Sequence, residues 1–404
     1  MGILTRAFNP ARRAELNEST GRGLIEALRN QGGLGGSVAG VAVTADAALS
    51  VATCFACVRA LAESSAMLPL ILYRRVGRNK ERAHDHPLYT LLHDAPNDEM
   101  TSVQLIEAIM NNVVLWGNGV ARLVIDNNGQ VREMWPLLTR YLRIERADGE
   151  LIYKYDAPDL KQTFRRWEVF HVSGLTLNGL TGLSVLGYMR RAIGMGIVLD
   201  TFGEKFYENG ARPGLVLEHP ARLGDQAAKV LRESWEERYG GVGNVNKPAV
   251  LEEGMKINTF GMPMEDAQFI QSKKFQSEEI ARMFRVPPHI VGILDHATFT
   301  NVEHQGQEFV TYSIGPWLNR IGKRVTLDLL LPDERPTYFA EFLTSALLRG
   351  DTTARFAAYN SAINAGWMTR NQARIAENMN ADDGALDQYL VPLNMTTAGA
   401  TNGQ

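Results

Sequence analysis

Hydrophobic positions along this chain follow two rhythms: every third or fourth residue in some stretches, every second residue in others. The first rhythm predicts a helix from about Ala47 to Met67, ended by Pro69. Leu70 to Arg74 then reads as a strand and leads into a basic turn. Thr101-Ser102-Val103-Gln104 has the form of a capping box. The helix it opens carries Leu105, Ile106, Ile109, Val113 and Trp116, and Gly117-Asn118-Gly119 stops it. Period-two runs follow at Val120–Ile125, Gln130–Trp135, Tyr141–Glu145, Leu151–Tyr155 and Glu168–Val172, separated by turns at Asp126–Gly129 and Asp148-Gly149. Together these predict an α+β lobe built on an antiparallel sheet.

The second half reads differently. A glycine-rich junction from Gly174 to Gly187 leads into a helix from about Val185 to Glu208. The segment from Arg212 to Met262 predicts a strand at Leu215–Glu218, a helix at Asp225–Tyr239 and a strand at Pro248–Leu251. Two helices follow, about Met264–Phe284 and Asn301–Leu330. The second carries Val310, Ile314, Trp317, Leu318, Ile321 and Val325 on one stripe, with Pro316 placed to kink it. Near the end, Asp351 can cap a helix bearing Phe356, Tyr359 and Ile363, and Gly366 can close it. Thr369-Arg370-Asn371-Gln372 makes a second capping box, for a helix running to about Met379. Residues 1–45 and 391–404 show no sustained period and read as a flexible arm and tail.

Composition narrows the function. The chain has 404 residues, 45% of them apolar and 22% charged, with a formal net charge of −3. That is the balance of an ordinary folded protein. A protein that grips nucleic acid over its whole surface needs a basic excess, and none is present. Met1–Pro10 lacks the apolar core of a secretory leader, and no run of about 18 apolar residues predicts a membrane span.

The candidate chemistry is sparse. Cys54 and Cys57 are the two cysteines; with no further Cys-His cluster they read as small core thiols, not zinc ligands. Gly182-Leu183-Ser184-Val185-Leu186-Gly187 has one residue too many for a hydrolase elbow, and Ser184 reads as a helix cap. Gly194-Met195-Gly196 lies mid-helix, where it predicts close helix packing. His84, His86 and His93 sit near Asp85 and Asp94 in a polar loop. No nucleotide loop, catalytic residue, cofactor or metal site is expected. Ser277–Gly292 has a helix-turn-helix rhythm, which leaves a DNA-binding regulator as one alternative. Its supposed reading helix begins Pro287-Pro288-His289 and continues apolar, unlike a helix that reaches bases with Arg, Lys or Asn.

From Val286 to Asn319 there is no lysine or arginine, while Asp295, Glu303 and Glu308 lie within it. A surface of this kind hydrates or repels phosphate and does not hold it.

Over about residues 45–390 the chain resembles the phage portal proteins, in the branch of long-tailed phages, prophages and gene transfer agents. The carriers are Gly117-Asn118-Gly119 leading to Gly129 and Trp135-Pro136-Leu137; Glu168–Val172 followed by Gly179–Gly187; Asn209–Gly214; Trp235–Gly241; and Glu278–Pro288. The resemblance implies a portal-type subunit of α+β class. Its parts would be an α/β wing (46–184), a first stem helix (185–210), a small α/β clip insertion (211–262) and a second stem helix (263–285). After these come a tunnel loop (286–303), a long kinked wing helix and return (304–349) and a short helical crown (350–390). It implies a homo-oligomeric ring, a dodecamer, at one capsid vertex of the virion, assembled in the host bacterial cytoplasm. The ring would pass double-stranded DNA without reading its sequence. Its partners would be the terminase large subunit, the major capsid protein and the head-tail adaptor, and no membrane. In this picture His296, Thr298, Phe299, Thr300, Asn301 and Glu303 face DNA from the tunnel loop. Arg232, Glu236 and Arg238 meet neighbours or partners from the clip, while Trp235 and Tyr239 pack the clip helix. Another head structural or adaptor protein is the other alternative.

Overall fold

The computed structural model describes residues 37–38, 41–77, 79–208, 215–220, 222–239, 251, 254–259, 266–293, 306–344, 352–377, 379–382 and 384–390. The chain divides into two compact units, residues 1–342 and 343–404.

The first unit begins with a two-residue ladder, β1 (Ser37–Val38) against β2 (Val41–Ala42), in a region where the sequence predicts no strand. Helix α1 (Ala45–Ser50) is capped by Thr44, whose Oγ1 accepts from the Ala47 N–H at 3.1 Å. Helix α2 (Ala52–Ala66) follows after a break at Val51 (φ −74°, ψ 113°). The expected single helix is therefore two. The extended Val51 turns its branched side chain into the core, where it faces Gly196. Cys54, Cys57, Val58 and Leu61 form the buried stripe of α2. Each large side chain so buried contributes about 1.5–3 kcal/mol. Burial pushes both thiols up to about 12, so they are inert core residues.

Strand β3 (Leu70–Val76) pairs with β4 (Asn79–Arg82), a fully exposed polar strand that the period-two reading does not pick out. Helix α3 (Pro87–His93) starts at His86, whose Nδ1 accepts from the Leu88 N–H at 3.1 Å. Helix α4 (Ser102–Trp116) opens with the expected capping box. Gln104 N–H donates to Thr101 Oγ1 at 3.3 Å, and Thr101 N–H to Gln104 Oε1 at 2.8 Å.

Strands β5 (Asn118–Ile125), β6 (Val131–Leu137), β7 (Leu142–Ala147), β8 (Glu150–Asp156), β9 (Lys161–Arg165) and β10 (Val169–Ser173) follow. They do not form one sheet. The orders are β10-β5-β6 and β7-β8-β9, both antiparallel. Short 3-10 corners at Thr139–Tyr141 and Arg166–Glu168 redirect the chain between them. Alternation in sequence defines strands but not their partners, which is why the single-sheet expectation fails.

Helix α5 (Val185–Tyr188) and helix α6 (Arg190–Glu208) replace one expected helix, interrupted at Met189. Strand β11 (Leu215–Glu218) and helix α7 (Asp225–Tyr239) come next. The partner of β11 is β12 (Lys256–Thr259), with Leu215 opposite Thr259. The predicted strand at Pro248–Leu251 is not the partner: Leu251 is not in a strand, and 248–250 lie outside the described residues. Helix α8 (Asp266–Phe284) returns.

Residues Phe309–Ile314 form a π-helix that runs into helix α9 (Gly315–Asp328). The Gly315 N–H donates to Val310 O, five residues back. Pro316 has no N–H and crowds the carbonyl four residues behind it; the widened turn accommodates both defects where the kink was expected. Strand β13 (Tyr338–Phe342) then pairs antiparallel with β3, Phe342 opposite Leu70, giving a third sheet of order β13-β3-β4 that joins sequence-distant segments.

In the second unit, helix α10 (Thr352–Asn364) turns over Gly366 into α11 (Arg370–Ala376), with the predicted Thr369–Gln372 capping box in place. Helix α11 ends short of Met379, whose N–H returns to Arg374 O at 2.8 Å. Tyr359 and Arg355 both bond Glu377, the tyrosine hydroxyl at 3.0 Å to Oε1. Asp351 lies outside the described residues.

Candidate functional site: two helical legs and the roots of a cation-free segment

Helices α6 and α8 pair as antiparallel legs. Lys273 Nζ meets Asp200 Oδ1 at 2.9 Å, the Phe269 ring packs tilted against Phe202 with centroids 5.7 Å apart, and Gln276 Nε2 donates to Ala192 O at 2.6 Å. Small residues permit this approach. A Cβ on Gly203 would lie 3.2 Å from Phe269 Cζ, and one on Gly196 would lie 3.5 Å from Ile280 Cδ1. The Gly194-Met195-Gly196 stretch is thus helix packing. Between the legs, in sequence, lie β11, α7 and β12.

The far end of α8 closes in a Schellman motif: Val286 N–H donates to Ala281 O at 2.9 Å and Arg285 N–H to Arg282 O at 3.1 Å. Arg285 occupies the left-handed region at φ +57°, and Val286 is buried against the leg. The chain then makes a 3-10 turn at Pro288–Val291 and stops at Gly292, φ +85°. Four residues of 3-10 turn cannot serve as a recognition helix, so the helix-turn-helix alternative fails on geometry.

This turn and the π-helix are the two roots of the cation-free segment. They touch: Ser313 Oγ donates to Arg285 O. His289 on one root feels the Glu308 carboxylate on the other; partial burial outweighs it and holds the imidazole below its ordinary value. The six tunnel-loop candidates, His296, Thr298, Phe299, Thr300, Asn301 and Glu303, lie outside the described residues, as do Asp295 and His304. Of the clip candidates, Arg232 and Arg238 are exposed on α7. Glu236 lies on the same helix, and the half-buried Trp235 is engaged within the fold.

Behind the legs stands a buried polar core that the sequence reading quotes only as motif. Asn118 Oδ1 accepts from Gly182 N–H at 2.8 Å and from His171 Nε2 at 3.0 Å, and Asn118 Nδ2 donates to Gly182 O at 3.2 Å. Tyr153 OH donates to His171 Nδ1 at 3.0 Å. Desolvation pushes His171 down to about 3 and Tyr153 up to about 12, so both are neutral. The His171 N–H reaches Asp328 Oδ2 at 3.2 Å; Arg324 bonds the same oxygen at 2.7 Å and Arg166 bonds Oδ1. Burial pushes Asp328 up to about 6, opposed chiefly by Arg166. A Cβ on Gly182 would fall 1.8 Å from Gly117 O, and one on Gly117 would fall 2.3 Å from Leu183 O. The glycines and Asn118 thus stitch the α4–β5 corner to the junction. Ser184 caps α5 through Gly187 N–H at 3.1 Å and donates to Leu115 O, the helix-cap role expected of it.

His86 caps α3, and its Nε2 lies 3.3 Å from Glu334 Oε1; His93 bonds its neighbour Asp94, and His84 packs on Tyr89. Among the described residues no group of three or more His, Cys, Asp or Glu could hold a metal ion, and no helix is long and apolar enough to cross a membrane.

A family model described as phage portal protein matches residues 52–378. The chain belongs to the phage portal protein family. Its relatives include the probable portal protein of Streptomyces phage phiC31, 30% identical over 382 residues that cover 90% of this chain and 82% of the relative. The portal protein of Enterobacteria phage HK97 is 28% identical over 337 residues, 82% and 79% of the two chains. Among solved structures, an HK97 family phage portal protein from Corynebacterium diphtheriae superposes with a TM-score of 0.59 at 15% identity, over 77% of this chain and 99% of that one. A chain from the neck of an empty GTA particle gives 0.58 at 22%, over 82% and 90%. The α+β class with interrupted helices is therefore the fold of known portals.

Proposed function

We propose that this portal protein forms a closed ring at one vertex of a capsid, and that the ring is the conduit through which double-stranded DNA is packaged and ejected. The carrying observation is the pair of antiparallel legs, the second of which leads into the first of two touching roots, together with the absence of lysine and arginine from Val286 to Asn319, the stretch that contains both roots. Repeated around a ring, cations on such a segment would multiply counterion-release affinity into a brake on DNA, and their absence lets the duplex slide. His296, Thr298, Phe299, Thr300, Asn301 and Glu303 would form this inner surface. The protein's role in this reading is structural, with motor chemistry left to a terminase.

The parts would be those of the family: wing 46–184, legs as stem, clip 211–262 and crown 350–390. The exposed Arg232 and Arg238, with Glu236, would serve contacts to neighbouring subunits or to the terminase, and other faces would meet the major capsid protein and the head-tail adaptor. A similar chain from the neck of a native GTA particle computed with C12 symmetry, 21% identical, supports a dodecamer.

Negative-stain imaging of the purified protein tests the reading. Rings with a central hole are expected. Monomers or open filaments at all concentrations would overturn it.

A further inference from the structure

A cleft of about 570 Å³ opens between the β8–β9 strands and α9, away from the legs and roots. Four guanidinium groups line it, Arg165, Arg166, Arg324 and Arg335, against two carboxylates, Glu150 and Asp328. Asp328 is used internally. Its side chain is 2% exposed, and Arg166 and Arg324 both bind it. The cations facing solvent are thus in excess of the anions that can reach them.

Two of these arginines are notable for what they do not bond. Arg165 is exposed, and its guanidinium has no acceptor among the described residues. Arg335 is fixed by its own backbone, Nε to Leu330 O at 3.2 Å and Nη2 to Leu327 O at 2.9 Å, which leaves Nη1 free of such bonds. A guanidinium held in this way loses little entropy on binding a further anion. Apolar surface lies beside the charge: Trp167 is 61% exposed and Leu327 49%. Exposed tryptophan next to preorganised arginine is the composition of a binding hot spot.

We propose that this cleft docks an acidic peptide segment of a partner protein, with carboxylates on Arg165 and Arg335 and an adjacent aliphatic side chain against Trp167 and Leu327. Charge complementarity selects the occupant. Concavity on this scale suits a few residues of an extended chain, whereas duplex DNA presents its phosphates on a convex cylinder. The inference is independent of the ring and conduit reading, since a monomer would carry the same cleft.

The test uses the full chain and a fluorescein-labelled Glu-Asp-Leu-Asp-Glu peptide, followed by fluorescence anisotropy. The control peptide replaces the acids by their amides, and a short duplex DNA serves as competitor. Saturable binding of the acidic peptide, absent for the amide control, is expected. Arg165→Glu and Trp167→Ala should each weaken it by about tenfold or more, the loss expected of one hot-spot anchor. Both side chains are exposed, so unchanged melting curves are expected to accompany the loss. Absence of saturable binding, equal affinity in parent and variants, or displacement by the DNA instead of by unlabelled acidic peptide would each overturn the proposal.

Discussion

The buried His171 is held neutral by desolvation. Its pKa is held at about 3 against an ordinary 6.5. Folding therefore excludes a proton that the unfolded chain accepts. The stability this residue supplies is complete above about pH 6.5 and is lost progressively as the pH falls toward 3. Asp328 acts in the opposite sense, because its carboxyl is raised and gains protons below about 6. A comparison with His171→Gln isolates the histidine. The stability gap between parent and variant, measured by urea unfolding, should shrink by about 2 kcal/mol between pH 7 and pH 5. A gap that stays constant would mean the imidazole takes up its proton in the fold at the same pH as in the unfolded chain. Gly182 is constrained by space. A Cβ there would fall 1.8 Å from a carbonyl oxygen, so Gly182→Ala should cost about 3 kcal/mol or prevent soluble expression. Neither effect was legible from the sequence, which offered a glycine-rich junction and a strand containing a histidine. The partners that make them matter, Gly117 and Asn118, lie some sixty residues away along the chain.

At the scale of elements, local signals were read well and distant ones poorly. Capping boxes at Thr101 and Thr369 and the stop at Gly117 are decided within four residues, and the structure holds all three. Strand β13 carries little pattern of its own and exists because β3 offers it an edge. Polar β4 and β9 are strands by pairing and not by composition. The end of α8 is an intermediate case. Its sequence, Phe284-Arg285-Val286-Pro287, places arginine where a Schellman motif favours glycine, so the left-handed turn had no residue to announce it. An arginine at φ +57° carries a steric cost that glycine avoids. Arg285→Gly should raise stability by about 0.5–1 kcal/mol, after the entropy that glycine adds to the unfolded chain is deducted. Differential scanning calorimetry would read this as a higher melting temperature. A lower one would mean that the Arg285 side chain holds the root in place.

For the whole molecule, the decisive quantity is where charge is absent. The chain has 42 basic and 45 acidic residues, so neither sign dominates, yet none of the basic ones falls between Val286 and Asn319. The candidate inner surface itself was legible only as that gap, because the tunnel-loop residues have no fixed partners in the sequence to locate them. The gap nevertheless makes a quantitative prediction. Replacing Thr300 and Asn301 together by lysine introduces two cations per subunit where none existed. If the segment meets DNA, each lysine that reaches a phosphate steepens the fall of log affinity with log salt by about 0.9. Rings of the double variant should bind duplex DNA in a salt-dependent manner that parent rings lack, and should package DNA more slowly at low salt than at high salt. The two measurements must move together. Variant rings that package at the parent rate and show no new salt dependence would place the segment away from the duplex, while tighter binding without slower packaging would put the added lysines outside the conduit.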